Sequence, residues 1–398
     1  MDLNISQRVI NMKPSATLGM AQAARELADA GVNVKVLSAG EPDFNTPASI
    51  CQIAKDSIDA GKMHYAPVRG TKNMIAAMQE KFLRDQGVSY RSDEVMCTVG
   101  AKSAILMALD ALINPGDEII IFAPYWVSYL EQIRLSGGVP VVVSCSWANN
   151  FMPTAADVKQ ALSPKTKAII LNSPNNPTGG VINQQQLSEL AGLLAGTGIW
   201  LISDEIYEKI LFDGSKHYSP AAVNADMRNR TIVISGASKG YAMTGWRVGV
   251  VAANDQIIGA MAKLQGQQTT CLPEFIQDAA AFALRENAEV TKAINGMNQA
   301  YLERRDASLA RFKKISSIKI FKPQGAFYLW ADFSTVLSAD IKDDIELATI
   351  LLKEAHVACV PGTPFGAPGF LRLSIASALS EIEQAIDMIE NWLIRRHN

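Results

Sequence analysis

Ile234-Ser235-Gly236-Ala237-Ser238-Lys239-Gly240-Tyr241-Ala242-Met243-Thr244-Gly245-Trp246-Arg247 begins at the end of a short β-branched, apolar run. That run, residues 231–234, has the pattern of a buried strand. Gly236 breaks the strand and presents Lys239 in a tight turn, and Arg247 follows in another Gly-flanked bend. A lysine fixed at the end of a buried strand suits covalent chemistry, because partial desolvation lowers its pKa and frees the amine as a nucleophile. Most single lysines are solvated loop residues, so this reading depends on what else the chain brings to the same place.

Upstream of this stretch, strands and helices alternate. Residues 95–99 read as a strand ended by Gly100, after which Ala101, Ala104, Ile105, Ala108, Leu109 and Leu112 mark one helical face. Residues 119–122 form a second strand, followed by Ala123-Pro124-Tyr125-Trp126. Strands at 139–143 and 168–171 come next, the latter leading into Asn172-Ser173-Pro174-Asn175-Asn176-Pro177-Thr178-Gly179. A helix at 187–194 precedes a strand at 199–203, with Asp204-Glu205-Ile206-Tyr207 at its carboxyl end. This alternation predicts an α/β fold with a mostly parallel sheet covered on both faces. Such sheets bind ligands at the carboxyl ends of their strands. Gly100, Trp126, Asn176, Asp204 and Lys239 all fall just past predicted strands and can share one pocket.

The flanks read differently. Residues up to 31 form a polar opening and an amphipathic helix carrying Ala21, Ala24, Leu27 and Ala28, with Met12-Lys13-Pro14-Ser15-Ala16-Thr17 as a polar turn. A strand at 34–37 leads to Ala39-Gly40-Glu41-Pro42-Asp43-Phe44, where Gly40 either lets backbone approach a ligand or forms an ordinary Gly-Pro turn. Tyr65 and Gly70 flank a loop before a helix at 71–86. Beyond residue 278 long helices dominate, and a smaller α+β pattern closes the chain: strands at 318–321, 326–330, 357–360 and 370–375, and a helix at 345–354. The expected division is 1–48 as an N-terminal arm and part of a small domain, 49–285 as the large domain, and 286–398 as the C-terminal small domain, joined by a long helix.

Composition narrows the function class. Of 398 residues, 48% are hydrophobic and 19% charged, as in a globular enzyme. With a formal net charge of −2 and no basic run, nothing points to nucleic acid or to an anionic membrane surface. No apolar stretch approaches spanning length, and Met1-Asp2-Leu3-Asn4 lacks the basic and apolar regions of a signal peptide. The five cysteines are odd in number and scattered, as are the four histidines, so neither a disulfide framework nor a metal site is expected. Cytoplasmic residence is the default.

Several features fit one job, the holding of a phosphorylated pyridine aldehyde. Gly100-Ala101-Lys102 opens a helix directly after a strand, and its free N–H groups and positive dipole end make a phosphate cradle. Arg247 adds an always-charged, bidentate partner for the same phosphate. Tyr125 and Trp126 offer faces for stacking on a heteroaromatic ring, or are two core aromatics. Asp204, a carboxylate ending an apolar strand, is costly unless paired. Against a pyridine nitrogen it would keep that nitrogen protonated and make the ring an electron sink. Asn176 and Tyr207 can both donate to a ring phenolate oxygen. Arg372, a charge between apolar residues, meets either a structural carboxylate or a substrate α-carboxylate.

The strings Asn-Ser-Pro-Asn-Asn-Pro-Thr-Gly from 172, Ser-Asp-Glu-Ile-Tyr from 203 and Ser-Lys-Gly-Tyr-Ala-Met-Thr-Gly-Trp-Arg-Val-Gly from 238 resemble class I aminotransferases of fold type I. The resemblance implies pyridoxal 5'-phosphate as cofactor, a seven-stranded sheet in the large domain and a smaller α+β domain. It implies that Lys239 condenses with the cofactor aldehyde and then moves the Cα proton. Asp204 would pair with the pyridine nitrogen, Asn176 and Tyr207 with the ring oxygen, and Trp126 would stack on the ring. Ala101, Lys102 and Arg247 would hold the phosphate, with Tyr65 reaching it from a neighbouring subunit of a homodimer. Arg372, with Asn176 and the Gly40 backbone, would bind the substrate α-carboxylate; Trp126 would line the same subsite.

The opening Arg8-Val9, with Met12-Lys13-Pro14-Ser15-Ala16-Thr17, is similar to bacterial aspartate aminotransferases of the type in which some members accept prephenate. There Lys13, Ser15 and Thr17 would help recognise the second carboxylate; the alternative is a plain polar turn. Two departures stand out. Many relatives carry a phosphate-binding Ser three residues before the lysine, where this chain has Gly236, leaving Ser235 and Ser238 as candidates. Dicarboxylate enzymes also carry an Arg after an Asn-Pro pair, whereas this chain reads Thr270-Cys271-Leu272-Pro273-Glu274-Phe275-Ile276-Gln277. Ping-pong transfer between aspartate or glutamate and a 2-oxo acid is the expected activity. Alanine or aromatic preference, a lyase on the same fold, and a non-catalytic cofactor-binding regulator are the rivals.

Overall fold

The computed structural model describes residues 5–397. Residues 1–4, read above for a signal peptide, and residue 398 lie outside the described residues, at the outer ends of the first and last predicted domains. Strand β1 (Lys35–Val36) precedes a seven-stranded sheet made of β2 (Val95–Val99), β3 (Glu118–Ala123), β4 (Val139–Ser144), β5 (Thr166–Asn172), β6 (Trp200–Asp204), β7 (Thr231–Gly236) and β8 (Val248–Ala252). Their spatial order is β2-β8-β7-β6-β5-β3-β4; β8 runs antiparallel to both neighbours and every other pair is parallel. Helices cover both faces, so the central strands are apolar throughout: Ile169, Ile170 and Leu171 in β5, and Ile232, Val233 and Ile234 in β7, are all buried. Each such side chain contributes about 1.5–3 kcal/mol on burial, enough collectively to hold polar residues in place at the strand ends.

Six of the seven strands are legible as apolar runs. β8 is not, because Gly249 interrupts it and glycine weakens a strand reading. The sheet explains that glycine: a Cβ there would lie 2.3 Å from Thr98 Oγ1 and 2.7 Å from the Ala101 nitrogen. β8 is pressed against the start of the helix Ala101–Leu112, and only glycine allows the approach.

The C-terminal part adds β9 (Lys319–Phe321), β10 (Tyr328–Asp332), β11 (Val357–Ala358), β12 (Val360–Pro361) and β13 (Phe370–Ser374). An antiparallel sheet of order β12-β13-β10-β9 forms there, while β11 pairs in parallel with β1, tying residues before 48 to those near the C-terminus. The single strand predicted at 357–360 is thus two strands in different sheets. Every residue from Val357 to Val360 is apolar and buried, so alternation gives no face and no sign of the switch. The helix Leu379–His397, absent from the sequence reading, buries Ile382, Ala385, Ile386, Ile389, Trp392 and Leu393 at helical spacing. The 25-residue helix Ala288–Phe312 packs against this helix and against the helix Ala48–Asp59, so it touches both parts of the chain.

Candidate active site

A cavity of about 770 Å³ opens at the carboxyl ends of the parallel strands, between the large sheet and the C-terminal part. All of the predicted site residues line it except Lys13, Tyr65 and Ser235. Lys239 reaches it from the loop after β7. Gly236 has no room for a side chain: a Cβ would stand 2.5 Å from the Val248 carbonyl. The Lys239 amine donates a 2.6 Å hydrogen bond to the Gly40 carbonyl, which places the Gly40 backbone against the reactive group. Burial, with the charges of Arg372 and Arg247, lowers its pKa to about 8, against an opposing pull from Glu41 and Asp204. An amine that is partly neutral near physiological pH is a competent nucleophile and base.

Asp204 ends β6 and is buried. Burial pushes its carboxyl up to about 6, although the Tyr129 hydroxyl donates to it at 2.5 Å and the Ile206 N–H at 3.2 Å. Among the described residues no cation is hydrogen-bonded to this carboxylate. A protonated heterocycle nitrogen would supply the missing partner.

Arg372 is 1% exposed on β13. Its guanidinium donates to Asn176 Oδ1 at 2.9 Å and to the Ser38 carbonyl at 3.0 Å, lies 4.4 Å from the Tyr328 ring centroid, and leaves Nε without a partner. Both of these partners are neutral, and among the described residues no carboxylate pairs with this guanidinium. Asn176 uses its oxygen on Arg372, which leaves its amide N–H groups free to donate. The Tyr207 hydroxyl meets the Tyr328 hydroxyl at 2.8 Å.

At the other end of the cavity the helix Ala101–Leu112 begins at Gly100, with no side chain capping its first N–H groups. Gly100 has φ +84°, and a Cβ there would lie 2.5 Å from Arg247 Nη2. The guanidinium therefore lies directly over the helix start. Ser238 lines this region, whereas Ser235, on the buried strand, points to the opposite side and donates to Glu208 at 2.5 Å; the cofactor contact expected of Ser235 is accordingly corrected. The cause is strand geometry, which turns successive side chains to opposite faces. Lys102 enters with its side chain as well as its backbone: its ammonium stands 5.0 Å above the Trp126 ring, its pKa lowered by desolvation and by Arg247.

Other assignments separate in the same way. Trp126 faces the cavity, but Tyr125 is a core aromatic packed under Gly366, whose Cβ would lie 2.7 Å from Tyr125 Cε1. Ser15 and Thr17 reach the cavity; Lys13 does not, and its backbone N–H meets Glu131 at 3.3 Å. Tyr65 is 88% exposed and outside the cavity of its own chain. Sequence reasoning missed Tyr129 and Tyr328. Tyr129 carried a faint signal, standing one helical turn after Trp126; Tyr328 carried none, since its neighbours Tyr207 and Arg372 are remote in sequence.

A family model described as aminotransferase class I and II matches residues 32–389. An aspartate aminotransferase of Bacillus sp. (strain YM-2) is 40% identical over 98% of this chain and 99% of its own. The aspartate/prephenate aminotransferase of Thermus thermophilus is 40% identical over 98% of this chain and 99% of its own. The solved structure of the Thermus thermophilus aspartate aminotransferase with maleate superposes with a TM-score of 0.93 at 39% identity, over 97% of this chain and 99% of that one.

Proposed function

The chain belongs to the class I and II aminotransferase family, and from that premise we propose that it transfers an amino group between L-aspartate or L-glutamate and a 2-oxo acid, with prephenate as a further acceptor, using pyridoxal 5'-phosphate. The observation that carries this reading is the Lys239 amine, held at a pKa of about 8 in a cavity between a buried carboxylate and a buried, carboxylate-free arginine.

The residues present fit the cofactor. The uncapped helix start at Ala101 and Lys102, with Ser238 and Arg247, would hold the phosphate. Asp204, lacking a cation, would hold the ring nitrogen protonated; Asn176 and Tyr207 would donate to the ring oxygen, and Trp126 would cover a ring face. When bound, pyridoxal phosphate supplies an aldehyde that condenses with amines and a ring that draws electrons from the substrate Cα. Arg372, with its unpartnered Nε, grips the substrate α-carboxylate beside Asn176 and Gly40. The Lys239 amine takes the proton from Cα, and Tyr129 keeps Asp204 oriented.

Dicarboxylate preference rests on Lys102, whose ammonium faces the cavity without a carboxylate partner among the described residues, helped by Ser15 and Thr17. No arginine is needed after Pro273 for this. The helix Ala16–Asp29 adds an apolar wall of Leu18, Ala21 and Ala24, which suits the ring of prephenate. Lys102→Ala is expected to raise KM for aspartate and glutamate by roughly 10- to 100-fold, the worth of one charge-assisted contact, with KM for alanine changed less than about threefold. Equal weakening of all three would assign the ammonium to the phosphate instead. Initial rates with aspartate, glutamate, alanine, phenylalanine and prephenate, measured side by side, test the substrate class as a whole.

A homodimer with shared sites explains the exposed apolar surface. Ile5, Val9, Ile10 and Met12 on the N-terminal arm, and Met63 beside Tyr65, are exposed in the single chain. Tyr65 would reach the partner's phosphate. Neither Lys239→Ala nor Tyr65→Ala is expected to turn over well alone; mixing the two under subunit exchange should restore activity, because one site of the hybrid then carries both wild-type residues. No recovery in a demonstrated hybrid would show that each site is built from one chain. The five cysteines are all unbridged, which fits a reducing compartment such as the cytoplasm.

A further inference from the structure

Behind the cavity wall lies a buried charge network. Glu205 and Glu208 flank Tyr207 in sequence but turn toward the helix Lys72–Gln86. Glu205 accepts hydrogen bonds from Ser203 at 2.8 Å, Ser219 at 2.7 Å, Gln86 at 2.6 Å and His217 at 2.8 Å. Glu208 lies 2.7 Å from the ammonium of Lys81, a side chain that is 0% exposed, and accepts the 2.5 Å hydrogen bond from Ser235. Asp85, 3.4 Å from Lys81, links onward to Lys209 at 3.0 Å. Ligand atoms of Glu205, Glu208 and His217 lie within 4.8 Å of one another, but the Lys81 ammonium already supplies the positive charge there. The cluster is an ion-pair network.

The network touches the reactive loop on both sides of Lys239: at Ser235, which donates to Glu208, and at Tyr241, whose hydroxyl donates at 2.8 Å to Glu286 beside Lys209. Gly236 and Gly240 bring that loop into backbone-close contact with its surroundings, a Cβ on Gly240 meeting Lys209 Cβ at 2.8 Å. Neither glycine can make a directional side-chain contact. Among the described residues, Ser235 is the one side chain from 234 to 238 that makes a hydrogen bond. We propose that Ser235, held by the Lys81–Glu208 ion pair, is a positioning residue for Lys239, tying the chain four residues before the amine to the segment that follows Asp204 and carries Tyr207. The inference rests on the reading of Lys239 as the cofactor lysine.

The test is Ser235→Ala. Glu208 keeps Lys81 in this variant, so it folds, and circular dichroism with a melting curve checks that it does. In the cofactor-free protein, competitive acetylation across pH, read at Lys239 by peptide mass spectrometry, gives the titration of that amine. A held loop keeps it at about 8; a released loop admits water and moves it up toward 10.5. After reconstitution kcat is expected to fall roughly tenfold with KM changed less than about twofold, as misplacement of a reacting group costs rate rather than affinity. A parental titration with parental kcat overturns the proposal, and so does a lowered melting temperature with Lys239 unmoved. Absence of transamination by the parent protein would instead overturn the proposed function, a result distinguishable because the titration needs no cofactor.

Discussion

Lys239→Ala is expected to lower turnover by roughly 10⁴-fold or more, since a positioned general base alone is worth about 10²–10⁴ and the covalent anchor is lost with it. Lys239→Arg should be as inactive. A guanidinium keeps the positive charge but cannot release its proton in this range, so the pair of variants separates basicity from charge. Borohydride reduction in the presence of pyridoxal phosphate should leave a pyridoxyl group on Lys239 in the parent protein and on no residue in the alanine variant. Labelling elsewhere, or wild-type rates in Lys239→Arg, would remove the lysine from the centre of the reaction. The pH dependence carries a sign as well. The amine is held near 8 by burial, so the fraction able to act as base in the cofactor-free site grows as pH rises through that value.

Asp204→Asn should lower kcat by roughly 10²–10³-fold, the consequence of leaving a buried cation without its carboxylate. The same substitution should act in the opposite direction on the stability of the cofactor-free protein. Asp204 is raised from 3.8 to about 6. The folded state therefore binds the proton more tightly than the unfolded state, and this contribution is fully present below about pH 4 and lost as pH rises through 6. At pH 7 the ionised carboxylate is buried without a cation, a penalty of about 1–3 kcal/mol. Asparagine removes that penalty while still accepting from Tyr129. The variant should melt higher than the parent at pH 7, and the gap should close as pH falls toward 4. A gap that widens on acidification would mean that Asp204 is already neutralised by a partner of its own.

Individual residues show why part of this site was legible in the chain and part was not. Asp204 ends an apolar run, and Asn176 and Lys239 come within a few residues of the ends of two others, so the covalent order of the backbone places them at the carboxyl edge of any parallel sheet those runs form. Gly100 was readable for a related reason, since a strand-to-helix turn with φ +84° excludes other residues whatever the surroundings. β8 was not readable, because the contact that requires Gly249 comes from Thr98 and Ala101 on other elements. The serines illustrate the limit most simply. Ser235 and Ser238 are chemically equivalent candidates in one dimension; the pleat of β7 directs the first toward Glu208, and the turn after the strand brings the second to the cavity.

The chain alone therefore determined the alternation of strands and helices and the identity of the groups at the strand ends, because both follow from local periodicity and bond order. Tertiary structure decided which way each side chain faces and what it meets. It gave Arg372 neutral partners instead of a carboxylate, put Tyr125 in the core and Trp126 on the cavity, set the Lys102 ammonium over the Trp126 ring and buried Lys81 behind the wall. Those outcomes depend on desolvation and on pairings between residues more than a hundred positions apart, such as Lys81 with Glu208 and Asn176 with Arg372. No local pattern encodes them.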